Sequence, residues 1–106
     1  MLKININDLT FQCIIGILDF ERENEQKVII DISFEYFYNE DASNFIDYSK
    51  VANLVQTTMQ NKKFKLIEEA IIFIRSKLKS KYNIKNLKVK ISKPDILDNC
   101  VVSVEE

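Results

Sequence analysis

From Gln26 to Tyr38 the chain alternates with a regularity that few local structures can accommodate. Val28, Ile30, Ile32, Phe34 and Tyr36 hold every second position, and Asp31, Ser33 and Glu35 fall between them. Successive side chains of an extended chain point to opposite faces, so the stretch is predicted to be a long strand with one apolar face. An apolar face of that length needs another layer to cover it.

The same period returns three times. Leu2, Ile4 and Ile6 alternate with Lys3, Asn5 and Asn7, and Leu9, Phe11, Cys13 and Ile15 continue with the opposite parity. Leu2–Ile15 therefore reads as a first strand, with a bulge or bend near Asn7-Asp8 where the parity changes. Leu87, Val89 and Ile91 alternate with Lys88, Lys90 and Ser92 in a third strand, which Pro94 ends because it has no N–H to donate. Cys100, Val102 and Val104 mark a fourth strand over residues 100–105. The period changes between the second and third strands. Val51, Leu54, Val55 and Thr58 recur at helical spacing, behind an opening at which Asp47 or Ser49 can cap. Ile67, Ala70, Ile71, Ile74 and Leu78 give a second helix over 66–78, after a break at Asn61-Lys62-Lys63. Strands segregated from helices predict an α+β fold, ββααββ, with two helices on one face of an antiparallel sheet.

At 106 residues, with one glycine and one proline, the chain is expected to be a single domain, residues 1–106, without linkers. The N-terminus alternates and carries charge, unlike a signal peptide, and no run is long enough to span a membrane. A cytoplasmic location is expected. Cys13 and Cys100 sit in apolar, strand-like surroundings and are expected to be two buried free thiols. Residues 1–60 hold ten acids and four bases, whereas residues 61–106 hold six acids and eleven bases. The basic half lacks a run of exposed aromatics for base stacking, so a solvated surface is favoured over a nucleic-acid partner. There is no histidine. Histidine-ligated zinc and Ser-His or Cys-His catalysis are thereby excluded, and acid–base work falls to Lys, Tyr, Glu or Asp.

Some of these side chains admit two readings. Lys93 shares a strand face with Leu87, Val89 and Ile91. It is either a strand-end lysine that snorkels to water or a partly desolvated, tunable acid–base group. Glu68 and Glu69 open the second helix, where the macrodipole favours anions without any further role. The acids of the loop from Gly16 to Glu25 are either a solvated turn or a source of a ligand carboxylate.

Five separated pieces stand in order along the chain: Ile15-Gly16-Ile17-Leu18-Asp19-Phe20-Glu21, Gln26-Lys27-Val28-Ile29-Ile30-Asp31, Asp47-Tyr48-Ser49-Lys50-Val51-Ala52, Phe64-Lys65-Leu66-Ile67-Glu68 and Ser92-Lys93-Pro94. Together they resemble the dihydroneopterin aldolases of folate biosynthesis. The resemblance implies the tunnelling fold, in which ββααββ subunits form a ring, and a homo-oligomer that is an octamer of two tetrameric rings. It implies a pterin substrate, held at its amino-pyrimidine edge by Glu68 and the backbone of Ile67. Glu21 would reach in from the first loop, Tyr48 would lie against the ring as a proton carrier, and Lys93 would be the main acid–base group. Glu68 and Lys93 would come from one subunit and Tyr48 from the next. The implied reaction is retro-aldol cleavage of dihydroneopterin to hydroxymethyl-dihydropterin and glycolaldehyde, with side-chain epimerisation as a plausible second activity. It would need no cofactor, no metal and no Schiff base, because the substrate's own C=N bond serves as electron sink. Zinc-dependent relatives of the same fold use histidine ligands that this chain lacks. A dihydroneopterin triphosphate epimerase is expected to lack a pair like Lys93-Pro94. A non-catalytic module that kept the fold is the alternative from another class. The turn Asp95–Asn99 is shorter than is usual in the family and has no glycine.

Overall fold

A computed structural model describes all 106 residues. The elements are β1 (Leu2–Cys13), α1 (Asp19–Glu23), β2 (Gln26–Tyr36), α2 (Tyr48–Lys62), α3 (Ile67–Lys81), β3 (Lys85–Lys93) and β4 (Val102–Glu105). The four strands form one antiparallel sheet in the order β1-β2-β3-β4. The expected ββααββ order holds, with one addition: a five-residue helix, α1, inside the first loop.

Alternation in β2 places Val28, Ile30, Ile32, Phe34 and Tyr36 in the core. β1 joins them through the expected bulge. Ile6 pairs with Ile32, and the next pair is Leu9 with Ile30, so β1 spends one residue more than β2. Asp8 takes positive φ there, and its amide donates to Asp31 Oδ1 at 2.8 Å. The extra residue restores parity, and Phe11 and Cys13 point into the same core as Ile4 and Ile6. Helix α2 lies over β1 and α3 over β3. Val51, Val55 and Met59 from α2 meet Ile67, Ala70, Ile71, Ile74 and Leu78 from α3 above the sheet. Asp47 caps α2 by accepting from the Ser49 amide at 2.9 Å, as its side chain suggests.

The boundaries differ in places. β1 stops at Cys13, two residues short of Ile15, because Gly16 at φ 133° turns the chain into α1. β2 ends at Tyr36, and α3 runs on to Lys81. β4 begins at Val102, with Lys93 as its first partner, so Cys100 lies in the preceding turn. Cys13 is a buried free thiol as expected, but Cys100 is exposed, since no neighbouring strand covers a residue outside the ladder.

Candidate active site

Lys93 is the last residue of β3 and continues the inward face of Leu87, Val89 and Ile91. That parity carries its aliphatic stem into the core, and only 7% of the residue is exposed. The end of the side chain is occupied. Lys93 Nζ donates to Glu21 Oε2 at 2.8 Å, and Glu21 is 4% exposed. The two residues are 72 positions apart, and between them they form the buried ion pair of the chain. Two buried charges are tolerated when each satisfies the other and the remaining lone pairs find donors. Glu21 meets that condition: Gln26 Nε2 donates to Oε2 at 2.8 Å, and the Leu18 amide donates to Oε1 at 3.3 Å. Gln26 is itself held by donating to the Ile15 carbonyl at 2.8 Å. Burial pushes the Glu21 carboxyl towards its neutral form, but the hydrogen bonds from Lys93, Gln26 and Leu18 outweigh burial and hold its pKa below the usual carboxylate value.

Glu21 reaches this place because α1 exists. The Leu18 amide that it accepts is the N-cap amide of α1, so the same carboxylate closes the helix start and meets Lys93. Gly16 makes the room, since a Cβ there would collide with the Glu21 carboxylate. Cys13 lies close by, and burial, reinforced by the charge of Glu25 and offset by that of Lys93, pushes its thiol up to about 11. A thiol so held is neutral and a poor nucleophile.

The loop is tied to the start of α3. The Gly16 amide donates to the Phe64 carbonyl at 3.1 Å. Arg22 Nη1 donates to Gly16 O at 3.1 Å and Phe64 O at 3.3 Å, and its Nη2 to Lys63 O at 3.0 Å. Ile67 and Glu68 follow within four residues. Glu68 is exposed in the first turn of α3, and Leu66 at the N-cap offers no side-chain acceptor to the first-turn amides. An exposed carboxylate therefore stands beside unpaired backbone donors, next to the loop that carries Glu21. Glu69 shares that first turn and is exposed.

Tyr48 is elsewhere. It is the first residue of α2 and 66% exposed, whereas the C-cap of α2, Lys63, is the residue that Arg22 contacts. Fifteen helical residues at 1.5 Å each separate the two ends by about 20 Å. The chain thus brings together Glu21 and Lys93, sets Ile67 and Glu68 beside their loop, and leaves Tyr48 at the far end. Sequence reasoning missed α1, Arg22 and the anchoring role of Gln26. A glutamate three residues beyond the N-cap is the one local sign of α1. No cluster of three or more acidic or thiol side chains is placed to hold a metal ion. No helix is long and apolar enough to cross a membrane.

The family model for dihydroneopterin aldolase (FolB) matches residues 4–105. The dihydroneopterin aldolase of Haemophilus influenzae is 28% identical over 97 residues, which are 87% of this chain and 82% of that protein. The crystal structure of the Escherichia coli dihydroneopterin aldolase in complex with neopterin superposes with a TM-score of 0.85 at 24% identity, covering 100% of this chain and 99% of that one. A Burkholderia dihydroneopterin aldolase bound to guanine superposes with a TM-score of 0.78 at 19% identity, covering 99% of this chain and 88% of that one. With its family model matched along nearly its whole length and its fold shared from end to end, the chain belongs to the dihydroneopterin aldolase family.

Proposed function

We infer that this chain performs the retro-aldol cleavage for which its family is named, converting dihydroneopterin to hydroxymethyl-dihydropterin and glycolaldehyde. The observation that carries the reading is the buried Lys93–Glu21 pair at 2.8 Å, beside the uncapped, carboxylate-bearing start of α3. Neopterin and guanine, bound to two of the related proteins, present the same amino-pyrimidinone edge. A carboxylate can accept two parallel N–H bonds from that edge, which suits Glu68, and the Ile67 amide can add a donor.

With the ring so held, a base removes the proton of the hydroxyl on the far carbon of the bond to be broken, the carbon that becomes the aldehyde. The carbon–carbon bond cleaves, glycolaldehyde leaves, and the electron pair passes into the protonated C=N bond of the ring. The resulting enamine then takes a proton on carbon while the ring nitrogen gives up the one it had gained, which leaves the hydroxymethyl product. Lys93 supplies the proton traffic, directly or through water. Glu21 keeps it in place, and Tyr48 of a neighbouring subunit serves as the second carrier. Epimerisation of the side chain would follow if the cleaved glycolaldehyde turned over while still bound and the enamine carbon re-formed the bond on its other face. The chemistry calls for no metal and no covalent lysine adduct. Support comes from the missing histidines and from a Lys93 nitrogen engaged by a carboxylate. Tyr48 completes the site only in a homo-oligomeric ring, for which an octamer of two tetrameric rings is the expected form. Two unpaired cysteines fit a reducing cytoplasm.

The deciding experiment is incubation with dihydroneopterin, with hydroxymethyl-dihydropterin and glycolaldehyde as readout, before and after chelation and in the presence of borohydride. Product formed equally before and after chelation, and no substrate trapped on a lysine by borohydride, are expected. No product overturns the activity. Loss on chelation that zinc restores, or substrate trapped on a lysine, overturns the proposed chemistry.

A further inference from the structure

We propose that Arg22 is a positioning residue: it fixes the distance between the start of α3, which carries Glu68, and the Glu21–Lys93 pair. The inference rests on the proposed activity. Its ground is an unusual set of partners. The Arg22 guanidinium is half-buried, and it meets three backbone carbonyls, Gly16, Lys63 and Phe64, rather than a carboxylate. The ion pairs of the subunit are Arg75–Glu106 and Lys93–Glu21, and Arg22 joins neither. Capping the end of α2 would need only the carbonyl of Lys63, which sits in the left-handed conformation there. The further bonds, to Phe64 on the approach to α3 and to Gly16 beneath the Glu21 carboxylate, are what join two segments.

Neighbours in a helix diverge by about 100° around its axis, so Glu21 and Arg22 leave α1 on different sides. Glu21 turns to Lys93, and Arg22 turns to the α2–α3 connection. α1 is thereby a splint with one fixed contact on each side. A substrate held at its ring edge by Glu68 and worked on at its side chain by Lys93 is sensitive to the length of that splint. A displacement of about 1 Å can cost a hundredfold in rate.

The test compares wild type, Arg22→Met, Arg22→Lys, Glu68→Ala and the Arg22→Met/Glu68→Ala double variant. The readouts are neopterin affinity by fluorescence titration and single-turnover cleavage of dihydroneopterin. Arg22→Met, folded and assembled as wild type, should lose about tenfold or more in each. Arg22→Lys should recover part of the loss, since an ammonium can meet some of the carbonyls but not all three in one plane. In the Glu68→Ala background Arg22→Met should add little, because the distance no longer matters once the ring edge has lost its anchor. Equal fold-losses in both backgrounds mark a merely structural arginine and overturn the proposal. So does an Arg22→Met protein that binds and cleaves like wild type. Where Arg22→Met does not fold, Arg22→Lys takes its place in both backgrounds: a loss confined to the Glu68 background supports the positioning role, and equal losses or none overturn it. A wild-type protein that neither binds neopterin nor cleaves dihydroneopterin overturns the activity itself, and the positioning role with it.

Discussion

Lys93 has its stem in the core and its charge on Glu21, so the acid–base role proposed for it predicts that substitutions there act on stability and turnover together. Lys93→Met preserves the stem and removes the ammonium, leaving the Glu21 carboxylate buried with Gln26 and one amide as its remaining donors. Turnover should fall by about a hundredfold or more, the scale of a lost general acid–base group. Stability should fall too, by about 3 kcal/mol or more, because half of a buried pair is stranded. Adding Glu21→Gln to Lys93→Met should return part of the stability and none of the turnover. Thermal melts and turnover on the two variants check this, and near-normal turnover of Lys93→Met would remove Lys93 from the chemistry. The pH dependence has a definite sign. The folded-state pKa of Glu21 lies below its unfolded value, so its stabilisation is complete above the unfolded value of about 4.3 and is lost as pH falls through the lower folded one. Glu21→Gln should therefore lose less of its stability than wild type on acidification through that range; an equal loss contradicts the pairing. The neighbouring backbone is as exacting. Gly16→Ala places a Cβ against the Glu21 carboxylate at φ 133°, and should cost about 1–3 kcal/mol while loosening the Glu21–Lys93 contact. A melt of Gly16→Ala indistinguishable from wild type counts against it.

At the scale of elements, what is legible in the sequence divides by distance along the chain. The β2 face, the inner faces of α2 and α3 and the bulge in β1 are written in local periodicity, and all of them occur. α1 is five residues long and opens on Leu18, which has no polar side chain to cap with, so neither period nor propensity reveals it. The contacts of Arg22 with Lys63 and Phe64 span 41 and 42 positions, and that of Glu21 with Lys93 spans 72. No local pattern encodes such pairs. The family resemblance points to Glu21 and Lys93 as site residues but not to their contact, and it does not reach Arg22. Cys100 falls outside its expected strand because an apolar-polar alternation does not reveal where the partner strand stops. The bulge offers an element-level test. Asp31 Oδ1 is the acceptor that holds the Asp8 amide in the bulged residue's positive-φ conformation. Asp31→Asn keeps a carbonyl acceptor and should be near neutral, whereas Asp31→Ala should cost about 1 kcal/mol through the lost hydrogen bond. Denaturant melts of the two variants measure the difference, and equal effects would show that the bulge holds without Asp31.

At the scale of the whole molecule, Tyr48 and the Glu21–Lys93 pair lie at opposite ends of α2. The two ends also share a character. Ile17, Leu18 and Phe20 are exposed around α1, and Phe37, Phe45 and Tyr48 are exposed at the other end. Apolar side chains on two different surfaces suit head-to-tail contact between copies, and the outer edges of β1 and β4 have no strand partner within the chain. Where the rotation between copies closes, contacts of this kind make a ring, and the proposed ring would bring Tyr48 of one copy to Glu68 and Lys93 of the next. Complementation tests this directly. Tyr48→Ala and Glu68→Ala should each be nearly inactive when assembled alone. When the two are unfolded together, mixed equally and refolded, a Tyr48→Ala subunit supplies Glu68 and a Glu68→Ala neighbour supplies Tyr48. Random assembly in a closed ring makes about one site in four complete. Activity should then recover to a sizeable fraction of wild type, and should rise and fall with the mixing ratio around an equal mixture. Co-assembly is verified by tagging one variant and recovering the other with it. A co-assembled mixture as inactive as its parents would mean that Tyr48 and Glu68 do not meet across subunits, and the ring-shared site would have to be abandoned.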